Sequence, residues 1–134
     1  MTQEEKMLLI KDLSARLPYA VTVEHTSGFR GTLHDLVIHH IYDDNDNVYD
    51  AICYTDFFGD EDDIYIEYFK PYLFPLSSMT DEQEEEYNNL NCWELGCFPH
   101  TEDALDYLIA NHFDYRGLIE MGIAIDATGL DVYE

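Results

Sequence analysis

Basic residues are scarce. Only six of 134 residues are Lys or Arg, against 29 Asp or Glu, for a net charge of −23. Between Lys70 and Arg116 there is no basic residue and there are ten acidic ones. Such a surface repels phosphate, which argues against direct contact with nucleic acid or an anionic membrane. A basic protein partner, cations or plain solubility remain. Cysteine is also sparse: Cys53, Cys92 and Cys97 are an odd number. The expectation is free thiols in a reducing cytoplasm rather than a disulfide framework. The polar N-terminal stretch has no signal-peptide pattern, and no apolar run approaches the length of a membrane span. Internal repeats, low-complexity linkers, a nucleophile elbow, a P-loop, an HExxH pair and a Gly-rich cradle are all missing.

What is present suffices for a core. Apolar residues make up 46% of the chain and aromatics 14%, enough for a single domain over 1–134 without metal or disulfide staples. Eleven of the aromatics are Tyr, which can bury a ring and keep a polar tip wet on an acidic surface.

The chain divides into a helix (1–18), a β-region (19–76), a helical C-terminal part (80–122) and a polar, frayed tail (126–134). Thr2 and Glu5 form a capping-box pattern, Leu9, Leu13 and Leu17 with Ile10 make an apolar stripe, and Pro18 stops the helix. Val21 and Val23 begin a strand, Ser27-Gly28 marks a turn, and 29–40 is a second β-rich stretch with Gly31 a bulge or close contact. The run 43–47 is a loop of turn formers, 48–55 a third strand and 59–63 an acidic turn. Alternation over 64–69 predicts a fourth strand. Pro71 and Pro75 confine any continuation through Tyr72, Leu73 and Phe74 to a short edge strand. Thr80 with Gln83 repeats the capping box and opens an acidic second helix. Residues 88–100 read as irregular. Thr101 caps a third helix to about Asn111 with Leu105, Leu108, Ile109 and His112 on its stripe, and Asp114 caps a short last helix ending near Gly122. A helix followed by four or five short strands predicts an α+β fold: a small antiparallel curled sheet or barrel of the SH3 or Sm-like kind, with the C-terminal helices packed on it.

The acidic loops invite a calcium reading. Asp43, Asn45 and Asn47 fall at the first, third and fifth positions of an EF-hand loop, but Val48 stands where Gly is needed and Tyr54 where Glu is needed. A hairpin turn fits better, and Asp60, Glu61, Asp62 and Asp63 are read the same way. Cys92, Cys97 and His100 have the spacing C-x4-C-x2-H, but no fourth ligand completes the set, although His25, His34, His39 or His40 could approach from the sheet. Trp93, Leu95 and Phe98 around these cysteines favour small buried hydrophobes, so no metal and no cofactor are expected. His39-His40 with Asp35 or Asp43, or Cys53 with a nearby His, can be drawn as catalytic dyads. A chain with six His and 29 acids allows many such drawings, and the expectation is a protein that is not an enzyme.

Two runs are distinctive. In 111–119, His112 closes one helix, Asp114 caps the next, and Arg116 can form a bidentate pair with Asp114 or another carboxylate, clamping the corner to the sheet. In 70–80, the prolines and Tyr72 suit a rigid connector leading into the capped helix. With Lys11-Asp12-Leu13-Ser14-Ala15-Arg16-Leu17-Pro18-Tyr19, these runs resemble a group of short uncharacterised proteins from Bacteroides-type gut bacteria and their phages. That group shows a helix ending in "ARLPY", a central "KPYL-P-SSMT" leading into an acidic helix, and a closing "HFDYRGLI". The resemblance spans both ends and the middle but not 24–63. It implies a bacterial or phage origin and a structural motif at Tyr72, His112, Asp114, Tyr115 and Arg116, and no catalytic residues.

The charge and the implied origin predict a non-enzymatic interaction protein of the bacterial cytoplasm. Its carboxylates would meet a basic protein partner, as in a nucleic-acid mimic that inhibits a host defence nuclease. The contact candidates are Asp43, Asp44, Asp46, Asp60, Glu61, Asp62, Asp63, Glu84, Glu85 and Glu86. A small-barrel adaptor is the alternative, and a metal-dependent enzyme stands behind both.

Overall fold

Thr2 starts the first element as its sequence suggests: its hydroxyl accepts the Glu5 N–H at 3.1 Å and α1 runs over Gln3–Arg16. A computed structural model describes residues 2–42, 47–55, 65–90 and 102–133, with 38–42, 47–50, 54 and 102 described by backbone alone. Pro18 lies just past the helix, in a 3-10 turn over Leu17–Tyr19 that ends on Ala20 in the left-handed region. Leu9, Ile10 and Leu13 turn the α1 stripe into the core, where they meet Val21, Val23 and Leu33.

The strands are β1 (Thr22–His25), β2 (Arg30–Tyr42), β3 (Asn47–Thr55), β4 (Phe69–Pro75), β5 (Phe113–Asp114) and β6 (Ile125–Asp126). The sheet order is β3-β2-β1-β4-β5, with β6 also on β4. The pairs among β1, β2, β3 and β4 are antiparallel; those of β5 and β6 with β4 are parallel. The class is therefore α+β with a mixed sheet. A bridge from Ile52 to Tyr65 brings β3 toward the approach to β4, but among the described residues the sheet does not close. Gly31 is a close contact, since a Cβ there would stand 2.6 Å from the Phe29 ring. The bulge itself lies between Leu33 and Asp35.

The β4 region departs from expectation. Ile66–Tyr68 is a 3-10 turn that buries Ile66, and the strand begins only at Phe69. Despite two prolines it is an interior strand, with β1 on one side and β5 and β6 completing its pairing. Pro71 is tolerated by register. The Thr26 N–H donates to the Tyr68 carbonyl, so even-numbered residues of β4 bond toward β1 and the Pro71 nitrogen turns away. Parallel pairing with β6 starts only at Tyr72.

Among the described residues the C-terminal half has two helices, α2 (Asp81–Leu90) and α3 (Glu102–Ala110). The Thr80–Gln83 capping box is complete: Gln83 N–H donates to the Thr80 hydroxyl at 3.2 Å, and Thr80 N–H to Gln83 Oε1 at 2.9 Å. α2 carries residues 88–90, which were expected to be irregular, and buries no side chain. On α3 the stripe is Ala104, Leu108 and Ile109, with Leu105 only half-buried. Thr101, its expected cap, lies outside the described residues.

No last helix forms. The Asp114 carboxylate does accept from backbone N–H groups, those of Leu118 (3.0 Å) and Ile119 (2.9 Å), but these stand four and five residues on, beyond the two or three that an N-cap reaches. Gly117 at φ +79° interrupts the expected helix, and a series of turns follows up to Gly122 at φ +78°. The tail is not frayed either. Ala127 is fully buried, its N–H donates to the Leu73 carbonyl, and β6 pairs with β4. Tyr133 completes the docking: Thr22 N–H donates to its hydroxyl at 2.8 Å, and that hydroxyl donates to the Tyr72 carbonyl at 2.7 Å. One phenol thus substitutes for a ladder bond where β1 and β4 diverge. Replacing Tyr133 with Phe leaves both backbone groups without this partner, and a loss of about 1–3 kcal/mol is expected in chemical denaturation. An unchanged midpoint would mean that the two strands re-pair without it.

Candidate functional site

The two distinctive runs of the sequence meet in space. Phe74 pairs with Phe113 and Pro75 with Asp114, so 70–80 and 111–119 lie side by side as the parallel β4–β5 seam. Cavities open on either side of it. One of about 390 Å³ is bordered by Phe74, Ser78, Asn111, His112 and Tyr133. Another of about 390 Å³ is bordered by Leu76, Ser77, Tyr115, Gly117 and Glu120. A third, about 270 Å³, shares Leu76 and Ser77 and reaches Glu84 and Tyr87 on α2.

Beneath the seam is a buried ionic cluster. Asp12 is fully buried and accepts from two arginines: Arg16 Nε at 2.8 Å and Arg116 Nε at 3.2 Å. Arg16 is itself fully buried and donates through Nη2 to the Phe113 carbonyl. Arg116 therefore pairs with Asp12 rather than Asp114, and it clamps the turn to α1 rather than to the sheet. The Asp114 carboxylate instead accepts from the Leu118 and Ile119 backbone N–H groups. Both guanidiniums flank the Tyr115 ring, at 5.7 Å for Arg16 and 4.6 Å for Arg116. Burial pushes the Tyr115 phenol up, while Arg116 and Arg16 pull it down. Tyr72, also buried, takes the Arg30 guanidinium at 4.8 Å from its ring centre and accepts from Arg30 Nε at 3.2 Å.

His112 follows α3 at φ +63°, in the left-handed region that non-glycine residues rarely occupy. Its ring stacks on Tyr133 with centroids 3.8 Å apart and planes 10° off parallel. Burial, and secondarily the Arg16 charge, lower its pKa from 6.5 to about 4. Burial raises the Tyr133 phenol to about 12. Both rings are therefore neutral across the physiological range.

The expected acidic contacts divide. Glu84, Glu85 and Glu86 are exposed on α2. Asp43, Asp44, Asp46, Asp60, Glu61, Asp62 and Asp63 lie outside the described residues, as do Cys92, Cys97 and His100. Cys53 is buried, and His39 and His40 are described by backbone alone, so neither drawn dyad acquires a geometry. Among the described residues no group of three or more His, Cys, Asp or Glu could hold a metal ion, and no helix is long and apolar enough to cross a membrane.

The cluster of Asp12, Arg16 and Arg116, and the wedge made by Tyr133, were not anticipated. The signal for the first was available: Asp12 and Arg16 stand four apart on the stripe side of α1, next to Leu9 and Leu13. No family model, curated protein or solved structure matches the chain.

Proposed function

We propose that this chain is a non-enzymatic, acidic binding protein of phage or prophage type, acting in the bacterial cytoplasm on a partner with a basic surface. An inhibitor that occupies the nucleic-acid groove of a defence nuclease is the concrete form of the reading. The observation that carries it is the one-sided charge. Of the six basic residues, Arg16 and Arg116 are bound to Asp12, Arg30 lies on Tyr72, and Lys6 reaches Glu67 at 3.4 Å. Arg16 and Arg116 are thus drawn into the fold, whereas Lys11, Arg30 and Lys70 stay exposed, and α2 presents Asp81, Glu82, Glu84, Glu85 and Glu86 outward with no basic residue in the helix. Carboxylates spaced along a rigid helix can stand in for phosphates, steering a basic partner by long-range attraction that salt screens.

A capture experiment from host lysate at low and high salt, read by mass spectrometry, tests this. The expected result is a basic nucleic-acid enzyme that elutes as salt rises, with charge reversal of Glu84, Glu85 and Glu86 weakening capture several-fold. A salt-resistant partner, or none, would sink charge mimicry. The second reading, an adaptor on a small curled sheet of the SH3 or Sm-like kind, is favoured by the exposure of Leu76 and Met121 near the seam. In that case salt leaves binding intact and Leu76→Ser abolishes it.

A further inference from the structure

The cavity between β4, α2, the end of α3 and the tail has a chemistry unlike the surface around it. In a chain with 29 acidic residues among 134, none of the described residues lining it carries a formal charge. One wall is aromatic. Tyr133 stacks on His112, and Phe74 stands 5.9 Å from Tyr133 and 6.2 Å from Phe113 between ring centres. Beside Ser78 and Thr128, two side-chain amides line it, each half-committed to the fold. Gln83 Oε1 accepts from Thr80 N–H, and Asn111 Nδ2 donates to the Tyr107 carbonyl. The Gln83 amide N–H groups and the Asn111 carbonyl oxygen remain as a donor and an acceptor. His112 adds a further observation. It is nine-tenths buried in a strained backbone conformation, and its Nδ1 has no hydrogen-bond partner among the described residues. Buried polar atoms are rarely left so, and backbone strain of this kind collects at binding sites.

We infer that this cavity binds a small, uncharged, planar heterocycle of nucleobase size, stacked on the aromatic wall and read at its edge by Gln83 and Asn111. The volume of about 390 Å³ suits a small ligand. Aromatic faces paired with a donor and an acceptor select a flat ring with complementary edge groups over an aliphatic chain. The net charge of −23 disfavours any phosphorylated form of the same ring. The site is separate from the acidic α2 face and does not depend on the partner proposed above.

The test is an NMR titration of the full chain with adenine, cytosine and uracil, and with adenosine monophosphate as the charged comparison. At least one free base is expected to move the His112 and Tyr133 ring resonances and to saturate with a Kd below about 1 mM. Gln83→Leu, at a half-exposed position of α2, is expected to weaken that binding about tenfold, with an unchanged circular dichroism spectrum as the check of folding. Adenosine monophosphate is expected to bind at least tenfold more weakly than adenine where adenine binds. The inference is overturned if none of the three bases shifts these rings up to about 10 mM. Equal binding by Gln83→Leu, or nucleotide binding as tight as adenine, overturns it as well.

Discussion

Replacing Asp12 with Ala is expected to cost about 3–5 kcal/mol of folding free energy, a large share of the total for a domain of this size. The carboxylate sits between two guanidiniums, and neither it nor Arg16 has any exposure to water. Removing it leaves the Arg16 charge buried with, among the described residues, the Phe113 carbonyl and the Tyr115 ring beside it. Breaking one side of a buried pair is far more damaging than removing both sides. The double variant Asp12→Leu with Arg16→Met is therefore expected to recover most of the loss. Urea unfolding of wild type, both single variants and the double variant measures this directly. A loss below about 1 kcal/mol in Asp12→Ala would show that the Arg16 charge is compensated by other groups.

That pair also shows where sequence reasoning reaches its limit. An Asp and an Arg four apart on a helix usually mark a solvated face, and only the position of Asp12 between Leu9 and Leu13 hints otherwise. The partners that make burial tolerable, Phe113 and Arg116, are about a hundred residues away, so no local window contains them. Local signals fared better. The caps at Thr2 and Thr80, the α1 stripe, the turn at Ser27-Gly28 and the long β2–β3 hairpin each depend on neighbours in the chain, and each is present. Asp114 reads as a cap in the sequence, but its carboxylate accepts from N–H groups four and five residues on, and Gly117 in the left-handed region interrupts the helix expected there. β5 and β6 are two residues long and leave no periodicity to read. Pro71 pointed to an edge because the general rule for proline in sheets is strong, and register is what exempts it here. Of the candidate site, the motif residues were singled out in the sequence, but their meeting along β4 was not.

Lowering the pH from about 7 to about 4 is expected to remove up to about 3 kcal/mol more stability from the wild-type chain than from His112→Asn. In the unfolded chain the imidazole takes up a proton near its ordinary value of 6.5, whereas in the native fold burial and Arg16 hold it neutral down to about 4. Between those values the unfolded chain binds more protons, so acid favours unfolding. The contribution of neutral His112 is complete above about pH 6.5 and is lost as the pH falls toward 4. Asparagine is suited to the left-handed backbone at this position, so the substitution removes the imidazole without adding strain. The carboxylates titrate in both proteins, and their effects cancel in the difference. Denaturation midpoints of the two proteins that run parallel from pH 7 to 4 would show that the imidazole is not held neutral by the fold.

The Tyr133 wedge has a consequence for how the molecule is made. Its hydroxyl bonds to Thr22 across 111 positions, and Arg116 reaches Asp12 across 104. On a ribosome, α1 and β1 emerge about a hundred residues before the groups that complete them. A nascent chain that has reached only α2 has neither the second arginine for Asp12 nor the phenol that joins β1 to β4. The final closure of the fold therefore follows synthesis of residue 133 rather than keeping pace with it, and contacts of such long range make that step slow for a chain of this length.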